Sequence, residues 1–148
     1  MRRILVTILC SIAILGCSAQ TISQKMRNDF KNLFVGLCKQ MNEQTPIRMD
    51  ETTTFVYMTF TNWTLAYHYK VDYAYTDFTQ NQREVILAAI KKQCIAGWRR
   101  EIETWDKPYT YKQYVSYLRS LGVKFSYTYV DCNNMPFGHI LVTCKDLQ

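Results

Sequence analysis

The sequence predicts an α+β fold: an antiparallel sheet of about four strands, built as two hairpins, with helices on one face, in the order α-β-β-α-α-β-β. Three observations predict it. Residues 53–72 (TTFVYMTFTNWTLAYHYKVD) read as two alternating strands folded about Asn62-Trp63. Residues 123–144 repeat the pattern around a turn-rich Asn133–Gly138. Between and before these hairpins, apolar residues recur at helical spacings.

The first helix is expected over Ile22 to about Asn42, with Met26, Phe30, Leu33, Phe34, Leu37, Cys38 and Met41 on one face. Thr21 or Ser23 is its candidate cap, and Pro46 ends it. In the first hairpin, residue 60 should face 65, 58 face 67 and 56 face 69. One face then carries Val56, Met58, Phe60, Leu65, Tyr67, Tyr69 and Val71, and Phe55, Tyr57 and His68 point away. Asn62 tolerates positive φ, but the turn lacks the usual glycine.

Thr79 and Gln82 stand in capping-box spacing and open a second helix whose buried stripe is read as Val85, Ile86, Ala89, Ile90, Cys94 and Trp98. Asp106-Lys107-Pro108 interrupts the helical pattern. Thr110 and Gln113 open a short third helix, and Gly122 is its expected C-terminal stop. With the last loop centred between Met135 and Pro136, the inward set of the second hairpin is Val123, Phe125, Tyr127, Tyr129, Ile140, Val142 and Cys144.

The chain has 148 residues, 48% of them hydrophobic, which suits one domain with a sizeable core. Residues 1–19 do not belong to that domain, which is read as 20–148. Arg2 and Arg3 precede an apolar run over Ile4–Leu15, too short to span a bilayer comfortably, as in a signal peptide. Gly16-Cys17 at the end of the run resembles a bacterial lipobox and makes Cys17 the candidate lipidated residue. Cys17-Ser18-Ala19 also fits ordinary signal cleavage and free secretion. Without Arg2 and Arg3 the 18 basic groups fall by two against 12 acidic ones, a net of +4 and a mild basic excess.

Four cysteines follow the leader: Cys38, Cys94, Cys132 and Cys144. An even number in an exported domain suggests disulfides. Cys94 and Cys144 are both assigned inward, which favours that pair and leaves Cys38 with Cys132. No Cys-x-x-Cys spacing occurs, and His68 and His139 lie on different hairpins, so no metal site or cofactor is implied. Nucleotide-binding and hydrolase motifs are absent, and no catalytic residue is assigned. Trp63, Trp98, Trp105, Arg99 and Arg100 are the candidates for a partner-binding surface. Nucleic acid is disfavoured as the partner of an exported chain.

The segments MNEQTPIRMDETT and TLAYHYKV, a mid-helix cysteine, and LGVKFSYTYVD resemble a family of small exported bacterial proteins without assigned activity. The resemblance spans most of residues 40–145. It implies export and a single domain, and supplies no catalytic residues. The reading is a non-enzymatic, lipid-anchored binding or accessory module of the envelope that engages a protein partner. The rival is a small exported hydrolase using a Cys/His pair, such as Cys132 and His139, or a carboxylate. Labelled palmitate should enter the wild-type chain and not Cys17→Ala. An unmodified N-terminus at Gln20, found by mass spectrometry, would show ordinary cleavage instead.

Overall fold

A computed structural model of the chain describes residues 22–105 and 108–148. The leader, with Cys17, lies outside these residues. Helix α1 spans Gln24–Asn42, strands β1, β2 and β3 span Ile47–Arg48, Thr53–Thr61 and Thr64–Val71, helix α2 spans Gln80–Thr104, helix α3 spans Tyr111–Ser120, and strands β4 and β5 span Lys124–Val130 and Pro136–Thr143. A short 3-10 turn at Tyr75–Asp77 precedes α2. The class is α+β, with the helices on one face of the sheet.

Local chemistry sets the helix boundaries. Ser23 caps α1 through the Met26 N–H. Thr79 with Gln82, and Thr110 with Gln113, form reciprocal capping boxes at the starts of α2 and α3. Gly122, at φ 72°, reverses the chain after α3, with its N–H and that of Val123 donating back to Arg119 and Leu118. α2 runs through Gly97 without a break.

The sheet has five strands in the order β1-β2-β3-β4-β5. This differs from the expected four antiparallel strands in two ways. The small β1 adds an edge, and β3 pairs with β4 in parallel, from Thr64↔Lys124 to Lys70↔Val130. The helical connection through α2 and α3 carries the chain back to the end of the sheet where β3 began, so β4 must run in the same direction as β3.

The first hairpin has the expected pairs Phe60↔Leu65 and Met58↔Tyr67. Its turn places both Asn62 (φ 49°) and Trp63 (φ 58°) in the left-handed region, as a type I′ turn requires. Beyond Tyr57 a bulge at Val56 shifts the register, so that Phe55 rather than Val56 faces Tyr69. Phe55 is therefore buried on the core face, contrary to the uninterrupted alternation. The second hairpin buries every member of its expected inward set. Its pairing, Phe125↔Val142 and Tyr127↔Ile140, is centred between Asn133 and Asn134 rather than two positions later. The displacement is even in register, so each side chain keeps its face.

Three devices complete the frame. The side-chain amide of Asn42, at the end of α1, accepts from the Met58 N–H and donates to the Met58 carbonyl, each at 2.8 Å, as a neighbouring strand would. Gly138 lies where a Cβ would stand 2.5 Å from the Leu87 side chain, so its lack of one lets α2 approach the sheet. This also corrects the α2 stripe: Leu87, Ile90, Cys94, Trp98 and Ile102 join the core, while Val85 is exposed.

The third device is Asp131, a fully buried carboxylate at the end of β4. It accepts from the Tyr75, Asn133 and Met135 N–H groups at 2.7–2.8 Å and so ties the turn before α2 to the last loop. Burial opposes its ionisation, but these N–H donors outweigh that and hold its pKa below the ordinary carboxylate value. A lowered folded pKa gives stability that is full above the unfolded value of about 3.9 and lost as pH falls through the folded one. Asp131→Asn should therefore lower the denaturation midpoint at pH 7, and the deficit should shrink in acid below about pH 4. Chemical denaturation of both proteins across that range checks it.

Candidate binding groove

Helix α1 lies over β2 and α2 lies over the β4–β5 side of the sheet. Phe34 of α1 meets Phe60 at 5.2 Å, and Trp98 of α2 stacks on Phe125 at 3.8 Å. The middle of the sheet, β3 and β4, is left between the two helices. A groove of about 620 Å³ opens there, with Leu37 and Met41 on one wall and Ile90, Cys94 and Gly97 on the other.

The parallel β3–β4 pair supplies the floor. Parallel pairing puts identical residue types side by side: Tyr67 stacks on Tyr127 at 4.9 Å and 7°, and Tyr69 stacks on Tyr129 at 5.0 Å and 13°. The Tyr127 hydroxyl accepts from the Trp98 indole N–H at 2.8 Å, which locks α2 to the floor. Burial pushes all four tyrosine pKa values up, that of Tyr69 to about 12. Burial likewise raises the Cys94 thiol, with a hydrogen bond to Tyr127 acting in the opposite direction. Few charged groups reach the groove, Asp50 and Glu101 being the carboxylates on its lining. An apolar aromatic trough of this kind suits binding rather than proton transfer.

The cysteines do not pair. Cys38, Cys94, Cys132 and Cys144 are all free thiols, so the disulfide expectation is corrected. Cys94 and Cys144 do face inward, but at different heights. Trp98 stands over Phe125, one helical turn beyond Cys94, and Cys144 lies further along still, its thiol against the Val123 carbonyl at 3.5 Å. Cys132 is exposed in the last loop, its N–H bound to the Tyr73 carbonyl, whereas Cys38 sits on α1.

The predicted partner surface is dispersed. Trp98 is buried in the core. Arg99 donates to the carbonyls of Asp146 and Gln148, fastening the C-terminal segment, while Arg100 is exposed beside it. Trp105 packs on Phe30 and Tyr114, and Trp63 stands at the first hairpin tip with Arg27 over its ring at 5.6 Å. Nor does the structure gather a Cys/His site. His139 faces Thr128, well before Cys132 along the hairpin, and its Nε2 lies 2.9 Å from Ser126 Oγ on the open face of the sheet. Among the described residues no cluster of three or more His, Cys, Asp and Glu is placed to hold a metal ion.

The groove itself was not singled out from the sequence. Its signal was present in the matched Tyr-x-Tyr motifs at 67–69 and 127–129, which read as core in each hairpin separately.

No protein-family model and no curated protein sequence matches the chain. Two solved structures share its fold. One is PA3611 of Pseudomonas aeruginosa, described as a secreted protein, with a TM-score of 0.55 at 15% identity over 86% of this chain and 99% of the other. The second is EpsS, the pilotin of the Vibrio vulnificus type 2 secretion system, with a TM-score of 0.53 at 11% identity over 82% of this chain and 94% of the other. At these identities the likeness is one of fold.

The tyrosine floor has a consequence in alkali. A phenol whose folded pKa is raised contributes stability below its unfolded value of about 10, and loses it as pH rises toward the folded one. The protein should therefore unfold cooperatively above about pH 10, and a fraction of its tyrosinate absorbance should appear only with that unfolding. Parallel absorbance and circular-dichroism titrations check this, and Tyr69→Phe should move the transition to higher pH.

Proposed function

We infer that the protein is an exported, lipid-anchored accessory module of the bacterial envelope and that it binds a segment of a protein partner in the groove between α1 and α2. The carrying observation is the groove itself: an apolar trough on the tyrosine floor, left open where the sheet would otherwise be covered. Export is supported by the leader and by the fold shared with a protein described as secreted and with a secretion-system pilotin. No helix among the described residues is long and apolar enough to cross a membrane, so the leader and Cys17 are the means of attachment in this reading. A non-enzymatic role agrees with the dispersal of Cys132 and His139.

Gly97 adds a second support. It lies inside α2 on the groove wall, where an added Cβ would meet nothing within 4 Å. A glycine inside a helix costs about 0.5–1 kcal/mol relative to alanine. The fold does not need it there, but an occupant whose backbone approaches the wall would. Gly97→Ala should therefore stabilise the isolated protein by about 0.5–1 kcal/mol, and the bulkier Gly97→Leu should prevent occupancy.

A photo-crosslinking side chain at Met49 or Ile90, both on the groove, should capture a defined protein in the producing cells. The same group at Leu141, on the opposite face of the sheet, should not, and Gly97→Leu should abolish the adduct. Equal capture from Leu141, or none from the groove, would overturn the reading.

A further inference from the structure

One end of the molecule combines features that the groove does not use. α1 runs antiparallel to β2, with Asn42 at Met58, Phe34 at Phe60 and Arg27 at Trp63. The N-terminus of α1 and the β2–β3 tip therefore lie at the same end. Trp105, just past the end of α2, touches Phe30 and belongs there too. So does Lys124 at the start of β4, whose N–H donates to the Trp63 carbonyl.

Two aromatic-edged grooves flank the first turns of α1. One, of about 520 Å³, lies between Met26, Leu33 and the rings of Trp105 and Tyr109. The other, of about 380 Å³, lies between Arg27, Lys31 and the hairpin tip with Trp63. Leu33 and Val35 are 48% and 50% exposed. Lys25, Arg27, Lys31 and Lys124 are exposed around them, with the carboxylates of Asp29 and of Glu101, which accepts from the Trp105 indole N–H at 3.4 Å, beside them. Trp63 also occupies left-handed backbone, uncommon for so bulky a residue, which projects the indole at the tip.

The chain position says what this end meets. Cys17 precedes Gln24 by so few residues that even fully extended chain, at about 3.5 Å per residue, spans roughly 25 Å. The apolar leader brings that segment to a membrane. Tryptophan and tyrosine with basic side chains are the groups that settle at a lipid–water interface and are drawn to anionic headgroups. We propose that the α1 N-terminus, the β2–β3 tip and the rings of Trp105 and Tyr109 form a docking face for an anionic lipid surface, holding the domain end-on with the tyrosine groove running away from the bilayer. This extends the envelope reading but does not depend on an occupant of the groove.

The test uses the exported protein as its producing cells process it, mixed with vesicles carrying lipids brominated near the headgroup. Phosphatidylcholine vesicles are compared with vesicles in which a third of the lipid is phosphatidylglycerol. Tryptophan fluorescence should be quenched on the anionic vesicles, with Trp63 and Trp105 responsible, and Trp63→Phe/Trp105→Phe should remove the quenching while buried Trp98 stays bright. Lys25→Glu/Arg27→Glu/Lys31→Glu, all at exposed positions, should weaken the quenching response at least tenfold in lipid concentration. Molar salt should do the same to the wild type, which serves as the control if that variant folds poorly. No quenching on anionic vesicles, or equal quenching on phosphatidylcholine, would overturn the docking face. Groove crosslinking is read separately, so either result stands without the other.

Discussion

The structure depends on the parallel seam between β3 and β4. Each hairpin alone is a two-stranded ribbon with one apolar face, and such ribbons are marginal in water. The seam makes them one sheet and so gives α1 and α2 a common surface to cover. Its backbone bonds run from Thr64↔Lys124 to Lys70↔Val130. Its side-chain contribution is two stacked tyrosine pairs, reinforced by the hydrogen bond from Trp98 to Tyr127. Offset aromatic pairs add about 0.5–1.5 kcal/mol each beyond the area they bury. Long-range pairing of this kind must be reached across the whole connection through α2 and α3, whose helix starts are fixed locally by the capping boxes at Thr79 and Thr110.

The same seam explains why a groove exists. A five-stranded sheet is wider than two helices can cover closely, and α1 and α2 are each anchored toward an edge. Asn42 binds the outer side of β2, which holds α1 there. Gly138 admits Leu87 over β5, which holds α2 on the other side. The centre is then lined by its own tyrosines, stacked face to face in pairs across the seam. Tyrosine serves that place well, because its ring tolerates burial while its hydroxyl accepts partial hydration. Leucine or phenylalanine at the same positions would leave a trough with no polar tip at all.

Much of this was legible in the sequence, for reasons that are local. Capping boxes, the glycine after α3, and strand parity are set by neighbours within a few residues, and the structure realises each of them except parity at the β2 bulge. Face assignment in the second hairpin survived a wrong loop centre because an even displacement preserves parity. Face assignment at Phe55 and Val56 did not survive, because the bulge there inserts a residue, changes parity and leaves no mark in an alternating run as hydrophobic as Phe55-Val56-Tyr57. What was not legible is whatever depends on how distant elements are set against one another. The disulfide expectation failed on height rather than on face: each cysteine faces inward, but Cys144 lies at Val123, beyond the level at which Trp98 stands over Phe125. The candidate partner residues are dispersed because adjacent residues on a helix point in different directions, so that Trp98 enters the core and Arg99 turns to the C-terminal backbone. The groove was missed because each Tyr-x-Tyr motif is ordinary core within its own hairpin, and becomes a floor only when a parallel seam lays the two together.

The two ends of the molecule are therefore under different constraints. At the end carrying the turn before α2 and the last loop, Asp131 satisfies three backbone donors and fixes two connections with one buried charge. At the end carrying the α1 N-terminus, half-buried indoles stand among exposed cations, and one of them is held in backbone that a bulky residue seldom adopts. A fold that needed only a closed hairpin would place glycine or asparagine at position 63 and save the cost of left-handed tryptophan. That cost is consistent with an indole that has work outside the fold. In the proposed docking, the tryptophan-bearing end would face the membrane, and the groove between α1 and α2 would open to a segment arriving from the aqueous side.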